Sequence, residues 1–151
     1  MPDNFIAKRP AGPAEIAWLS EILCLDDLEP HIAGVLFTIP CTIYKVAAET
    51  DIISEGETGR EVYVLYRGKA SVYRTSGSGM VKAGTLLAGD FFGEIAFLIG
   101  IKRSATVRAD TECEVFMFDA GAFAELIKQF PCLLTRVRDT AARRIAKMFE
   151  E

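Results

Sequence analysis

Histidine is nearly missing from this sequence: His31 is the single one in 151 residues. A zinc or iron centre built from several imidazoles is thereby excluded. There are four cysteines, Cys24, Cys41, Cys113 and Cys132, and no pair has the CxxC spacing of metal ribbons and redox motifs. Thiols rather than disulfides are expected. No long apolar run is present. The longest uncharged stretch, roughly 31–44, contains Gly34 and Pro40 and falls short of the ~18 residues of a membrane helix. The first ten residues, MPDNFIAKRP, hold no apolar signal core. These absences lead to the expectation of a reducing, cytoplasmic setting with no membrane span. Charge of one sign is also scarce. Lys plus Arg is 17 against 21 Asp plus Glu, a net charge of −4. A bulk electrostatic hold on nucleic acid or an anionic membrane is not expected. If the protein binds an anion, it does so through a local site.

What is present is an ordinary globular mixture, 50% hydrophobic and 25% charged, at a length that suits one domain. Three zones follow along the chain. Residues 1–37 read as a helical segment. Within it, 13–24 place Ile16, Leu19, Ile22 and Leu23 at helical spacing behind Pro13. A second short helix is expected around 29–37. Residues 38–119 read as β structure. The runs CTIYKV, EVYVLYR, KASVYR, SATVRA and CEVFMF are rich in β-branched and aromatic residues. Turn signals divide them at 55–59, Arg67-Gly68 and 76–79. About eight short strands in this span indicate a mainly β protein, an eight-stranded, jelly-roll-like β roll with flanking helices. Residues 120–151 return to helix. Asp119 suits the N-cap of a helix over 120–129. Pro131 opens a last helix whose apolar stripe is Leu134, Val137, Ala141, Ile145 and Met148.

One segment, 89–109, interrupts the β pattern and reads GDFFGEIAFLIGIKRSATVRA. Gly89, Gly93 and Gly100 allow tight turns and close approach of a ligand. A short helical run follows Gly93-Glu94, and the start of a helix exposes unpaired N–H groups. Arg103 comes next, read here as part of a strand of small and branched residues. Its guanidinium can make a forked, charge-assisted pair with two phosphate oxygens. The Glu94 carboxylate cannot hold phosphate, but it can accept a hydrogen bond from a sugar hydroxyl. Together these groups suit a ribose phosphate.

The sequence F-G-E-I-A, followed at short distance by R-S-A-T-V, resembles the phosphate-binding cassette of the cyclic-nucleotide-binding domain family. The turns Glu55-Gly56-Glu57-x-Gly59 and Gly68, and the later Phe123, Phe130-Pro131 and Arg143-Arg144, match the same pattern. The resemblance covers roughly 38–149. It implies that Arg103 pairs with the exocyclic oxygens of a cyclic phosphate and that Glu94 holds the ribose 2′-hydroxyl. It also implies that the backbone N–H groups of Gly93, Ala96 and Ser104 complete the phosphate cradle. Ser104 after the arginine is similar to the bacterial catabolite activators and favours cAMP, with cGMP possible. For the base, the resemblance suggests a wall from Val81, Leu86 and Leu87 and a lid from Arg143, Arg144 and Met148. The last two helices would swing over the base and relay binding to an effector.

No cofactor, catalytic residue or metal ligand is expected, and no enzyme. A cupin-like roll needs several histidines, and no Ser–His–Asp or Cys–His set has credible placement. Gene regulators of the family append a helix-turn-helix after the last helix. The sequence reaches only Glu151, so direct nucleic-acid binding is not expected. The partners implied are a cyclic nucleotide and an unidentified protein effector, with a homodimer through the last helix as an option. Trp18 on 13–24 would either pack into the core or form a docking surface. The alternative to a sensor is a protein-interaction module with a vestigial or differently tuned pocket.

Overall fold

Two strands in the middle of the chain are apolar at successive positions: β4 (Val62–Arg67) and β9 (Cys113–Phe118). Successive side chains of a strand point to opposite faces, so such strands need cover on both sides. The computed structural model, which describes residues 5–23, 39 and 41–150, provides it. Val62 and Val64 enter a core shared with helices, while Tyr63 and Leu65 enter a second core between two sheets. On β9, Phe116 and Phe118 face the helices, and Cys113 and Val115 face the other sheet.

The remaining strands arrange around these two. They are β1 (Phe5–Pro10), β2 (Thr42–Val46), β3 (Asp51–Ile53), β5 (Ala70–Ser76), β6 (Gly79–Leu86), β7 (Phe91–Phe92) and β8 (Thr106–Ala109). One sheet has the order β1-β2-β9-β4-β7 and the other β3-β8-β5-β6, with antiparallel pairing throughout. The helices are α1 (Pro13–Ile22), α2 (Glu94–Ile99), α3 (Ala120–Gln129) and α4 (Pro131–Lys147). The molecule is thus mainly β with flanking helices. Eight of the strands fall between Thr42 and Phe118, as the spacing of the turn signals leads one to expect.

The ninth strand, β1, corrects the helical reading of residues 1–37. Its backbone pairs with β2, while only Phe5 of its six residues is buried, with its ring 5.1 Å from that of Tyr44. Arg9 fixes the strand by ion pairs with Glu15 of α1 (2.5 Å) and Glu114 of β9 (3.0 Å). Helix α1 matches its expected position, and Glu15 accepts a hydrogen bond from the Gly12 N–H at 2.7 Å, closing its first turn. Trp18 packs against the sheet, edge-on to Tyr66 at 4.9 Å and stacked on Phe116 at 6.0 Å. Core packing therefore takes its ring. The helix expected over 29–37, His31 and Cys24 lie outside the described residues. Cys113, buried on β9, is not joined in a disulfide.

At the carboxyl end, Asp119 caps α3 by accepting from the Ala122 N–H at 2.7 Å. Pro131 begins α4. Leu133, Val137, Thr140 and Ala141 form the buried face of α4, whereas Leu134, Ile145 and Met148 are half-buried. The Arg136 guanidinium donates to the Ile22 carbonyl, tying α4 to the end of α1. Among the described residues, no helix is long and apolar enough to cross a membrane.

Candidate functional site

Antiparallel strands β5 and β6 do not pair evenly. Val72 faces Gly84, but Tyr73 faces Lys82, so Ala83 is an extra residue on β6. Such a bulge bends an edge strand and re-aims its neighbours. Below it lies a cavity of about 280 Å³. Ile53, Val72, Leu86, Phe92 and Val107 supply its apolar wall, and α2 and the loop before β8 supply its polar end. The carboxyl end of α4 closes one side with Arg144, Lys147 and Met148. Lys147 Nζ donates to the Ala83 carbonyl at 3.0 Å, which pins the helix to the bulge.

Arg103 lies in the loop before β8 and not in a strand, a correction to the sequence reading. Its backbone pairs instead with the distant turn: its N–H donates to Glu57 O and its carbonyl accepts from Gly56 N–H, both at 2.9 Å. The turn at 55–59 therefore serves to seat the arginine. Its side chain is 4% exposed. A buried guanidinium needs partners. Nη1 donates to the Gly93 carbonyl at 3.0 Å, and Nη2 meets both the carbonyl (2.9 Å) and the carboxylate (3.3 Å) of Glu61.

Gly93 is fixed by two constraints. Its φ is +87°, and a Cβ there would lie 2.6 Å from Glu61 O and 2.9 Å from Arg103 Nη1. It caps α2, whose first-turn N–H groups have no intrahelical acceptor. The first residue of that turn is Glu94, with a side chain 2% exposed. Its Oε1 takes the Arg144 Nη1 of α4 at 2.5 Å. Its Oε2 is buried with no hydrogen-bond partner. Burial pushes the Glu94 carboxyl above the ordinary range, against the pull of the Arg144 charge. An acceptor oxygen without a donor, on a cavity wall, is a place for a ligand hydroxyl.

Among the sequence-predicted residues, Gly93, Glu94, Ala96, Arg103, Ser104, Leu86, Arg144 and Met148 all line this one cavity. Three others do not. Val81 is 48% exposed and lines an adjoining groove with Lys147 and Met148. Leu87 is 55% exposed just past β6, where its N–H donates to Asp90 Oδ2 to close a turn. Arg143 precedes Arg144, so it points about 100° away around the helix, and it donates to Thr140 Oγ1 at 3.1 Å. Sequence reasoning missed Arg74, Thr85 and Lys147 on the wall and Glu61 behind Arg103. Arg74 was accessible through strand alternation, since Val72 and Arg74 share one face of β5.

A buried guanidinium, an unpartnered carboxylate oxygen and an apolar wall, all on one cavity, fit an anion joined to a hydroxylated ring and a flat apolar group. The model of the cyclic nucleotide-binding domain matches residues 29–130. The chain belongs to that family. Helix α4, with Arg144, lies beyond the matched residues. The cAMP-dependent protein kinase regulatory subunit of Yarrowia lipolytica is 36% identical over 110 residues, 73% of this chain and 28% of that protein. The cAMP-activated global transcriptional regulator CRP of Salmonella typhimurium is 34% identical over 111 residues, 72% of this chain and 53% of that one. The chain thus spans about half or less of the length of these relatives. In fold, it is similar to a cyclic nucleotide-binding domain from Methylobacillus flagellatus, with a TM-score of 0.76 at 18% identity over 95% of this chain and 83% of the other.

Proposed function

We propose that this cyclic nucleotide-binding domain is a non-catalytic sensor whose ligand is cAMP, with cGMP as the competing nucleotide. The observation that carries this reading is the convergence of Arg103 and the unpartnered Oε2 of Glu94 on one cavity. The cyclic phosphate sits against Arg103 and the backbone of Gly93, Ala96 and Ser104. The ribose 2′-hydroxyl donates to Glu94, and the purine lies on the apolar wall near Leu86 and Met148. The cAMP in the names of both sequence relatives and Ser104 after the arginine support the choice of adenine.

Output is carried by α4. Arg144 reaches Glu94 across 50 residues of sequence, and Lys147 reaches the β6 bulge. A ligand that engages Glu94 therefore acts on the contact that holds the helix. It shifts the helix only to the extent that it binds one helix position better than the other. The effector is a protein met through the helical parts, in the cytoplasm, without direct contact to nucleic acid. A second copy of the chain joined through α4 is compatible with this.

Thermal unfolding with cAMP, cGMP and 5′-AMP tests the reading. A large shift with one cyclic nucleotide and little with 5′-AMP is expected, and the nucleotide is recovered intact after long incubation. Equal shifts with 5′-AMP, or none with either cyclic nucleotide, contradict it.

A further inference from the structure

Arginine offers two edges for a forked pair with phosphate: Nε with Nη2, and Nη1 with Nη2. Both edges use Nη2. In this structure Nη2 of Arg103 meets two acceptors of Glu61, the carbonyl at 2.9 Å and the carboxylate Oε2 at 3.3 Å. Nη2 has two hydrogens, so neither is left for a ligand. The carbonyl belongs to the backbone at the start of β4 and is fixed. The carboxylate is on a side chain 41% exposed and is free to leave. Gly59 leaves space at the Nε edge, where a Cβ would stand 3.3 Å from Nε and from Nη2 and 3.2 Å from Glu61 Oε2.

We propose that Glu61 is an affinity-setting residue: its carboxylate holds the Arg103 donor that the ligand phosphate needs and must be displaced for a forked pair to form. This rests on the reading of Arg103 as the phosphate ligand. Glu61 is not among the residues on the cavity wall. The exchange therefore turns one Nη2 hydrogen from the carboxylate to the cavity, while the Gly93 and Glu61 carbonyls keep the guanidinium in place. The contact is with a carboxylate, so it also sets a threshold. A ligand has to bring an anionic group that competes with a carboxylate, which disfavours neutral nucleosides.

The competing possibility is that Glu61 only orients Arg103, and the two make opposite predictions. Calorimetric titration with cAMP and cGMP of the full chain is compared with the same titration of Glu61→Gln and Glu61→Ala. Thermal unfolding verifies that each variant is folded. Loss of a half-exposed competitor is expected to tighten cyclic-nucleotide binding by about two- to five-fold in both variants, while adenosine, which brings no anion to displace the carboxylate, is unchanged. Weaker or unchanged binding of the cyclic nucleotide in both overturns the proposal and leaves the reading of Arg103 standing. Binding by the variants where the wild type binds neither nucleotide supports it. No binding by wild type or variants overturns both.

Discussion

Arg103 is held by three acceptors and almost wholly removed from water. Its charge would meet the ligand in a confined site, so truncation removes both the attraction and the fork. Arg103→Ala is expected to weaken cyclic-nucleotide binding by about 2–5 kcal/mol, read by titration. At Glu94 the balance is different. Arg144→Ala leaves a buried carboxylate without its cation, and the expected loss of stability is about 1–3 kcal/mol in urea unfolding. That figure lies below the cost of breaking a fully buried pair because the Arg144 side chain is 32% exposed. The double variant Glu94→Gln/Arg144→Ala recovers most of the loss, since no charge remains to be stranded. Glu94 also gives a pH signature. Its carboxyl is raised above an ordinary value of 4.5, chiefly by burial. The folded state therefore keeps its proton at pH values where the unfolded chain has lost it. This contribution to stability is complete below 4.5 and is lost as pH rises through the raised folded-state value. Urea unfolding across that range shows the decline in the wild type and a flatter profile in Glu94→Gln.

Elements differ in how far local chemistry determines them. The connection from β4 to β5, which passes from one sheet to the other, turns at Gly68, where φ is +101° and a Cβ would come within 2.6 Å of Glu112 O and 2.7 Å of Cys113 Sγ. Gly68→Ala is expected to cost about 1–3 kcal/mol through this strain, measured by chemical denaturation. The same turn, like the Asp119 cap of α3, is legible in the sequence because a single residue type satisfies a local need. The cassette is legible for the same reason: Gly93, Glu94 and Arg103 stand in one stretch. Strand β1 is not, since five of its six residues are exposed and leave no alternation to read. Short β3 and β7, and β6 with its two glycines, are weak for similar reasons. The seat of Arg103 depends on bonds to Gly56, Glu57 and Glu61, more than forty residues away. A strand-like run such as SATVRA carries no sign of that pairing. The lid was only half legible, because Arg143 and Arg144 are equal in sequence and the helical phase decides between them.

In the whole molecule, the cavity lies where sheet, cassette and last helix meet, so a ligand there joins parts distant in sequence. Anything that binds only the folded state stabilises it by mass action. At a ligand concentration about a hundred times Kd, the gain is expected to be about 2.7 kcal/mol. For a chain of this size it corresponds to a rise in melting temperature of about 5–10 °C. The rise should be much smaller in Arg103→Ala at the same ligand concentration. In the proposed function, one cavity takes up a cyclic nucleotide through Arg103 and Glu94. The most direct test is isothermal calorimetry of the wild type with cAMP and with cGMP, beside Arg103→Ala. One saturable site is expected in the wild type, tighter for cAMP, and its loss in the variant. A folded wild type that binds neither nucleotide, or an Arg103→Ala protein that binds as tightly as the wild type, would contradict it.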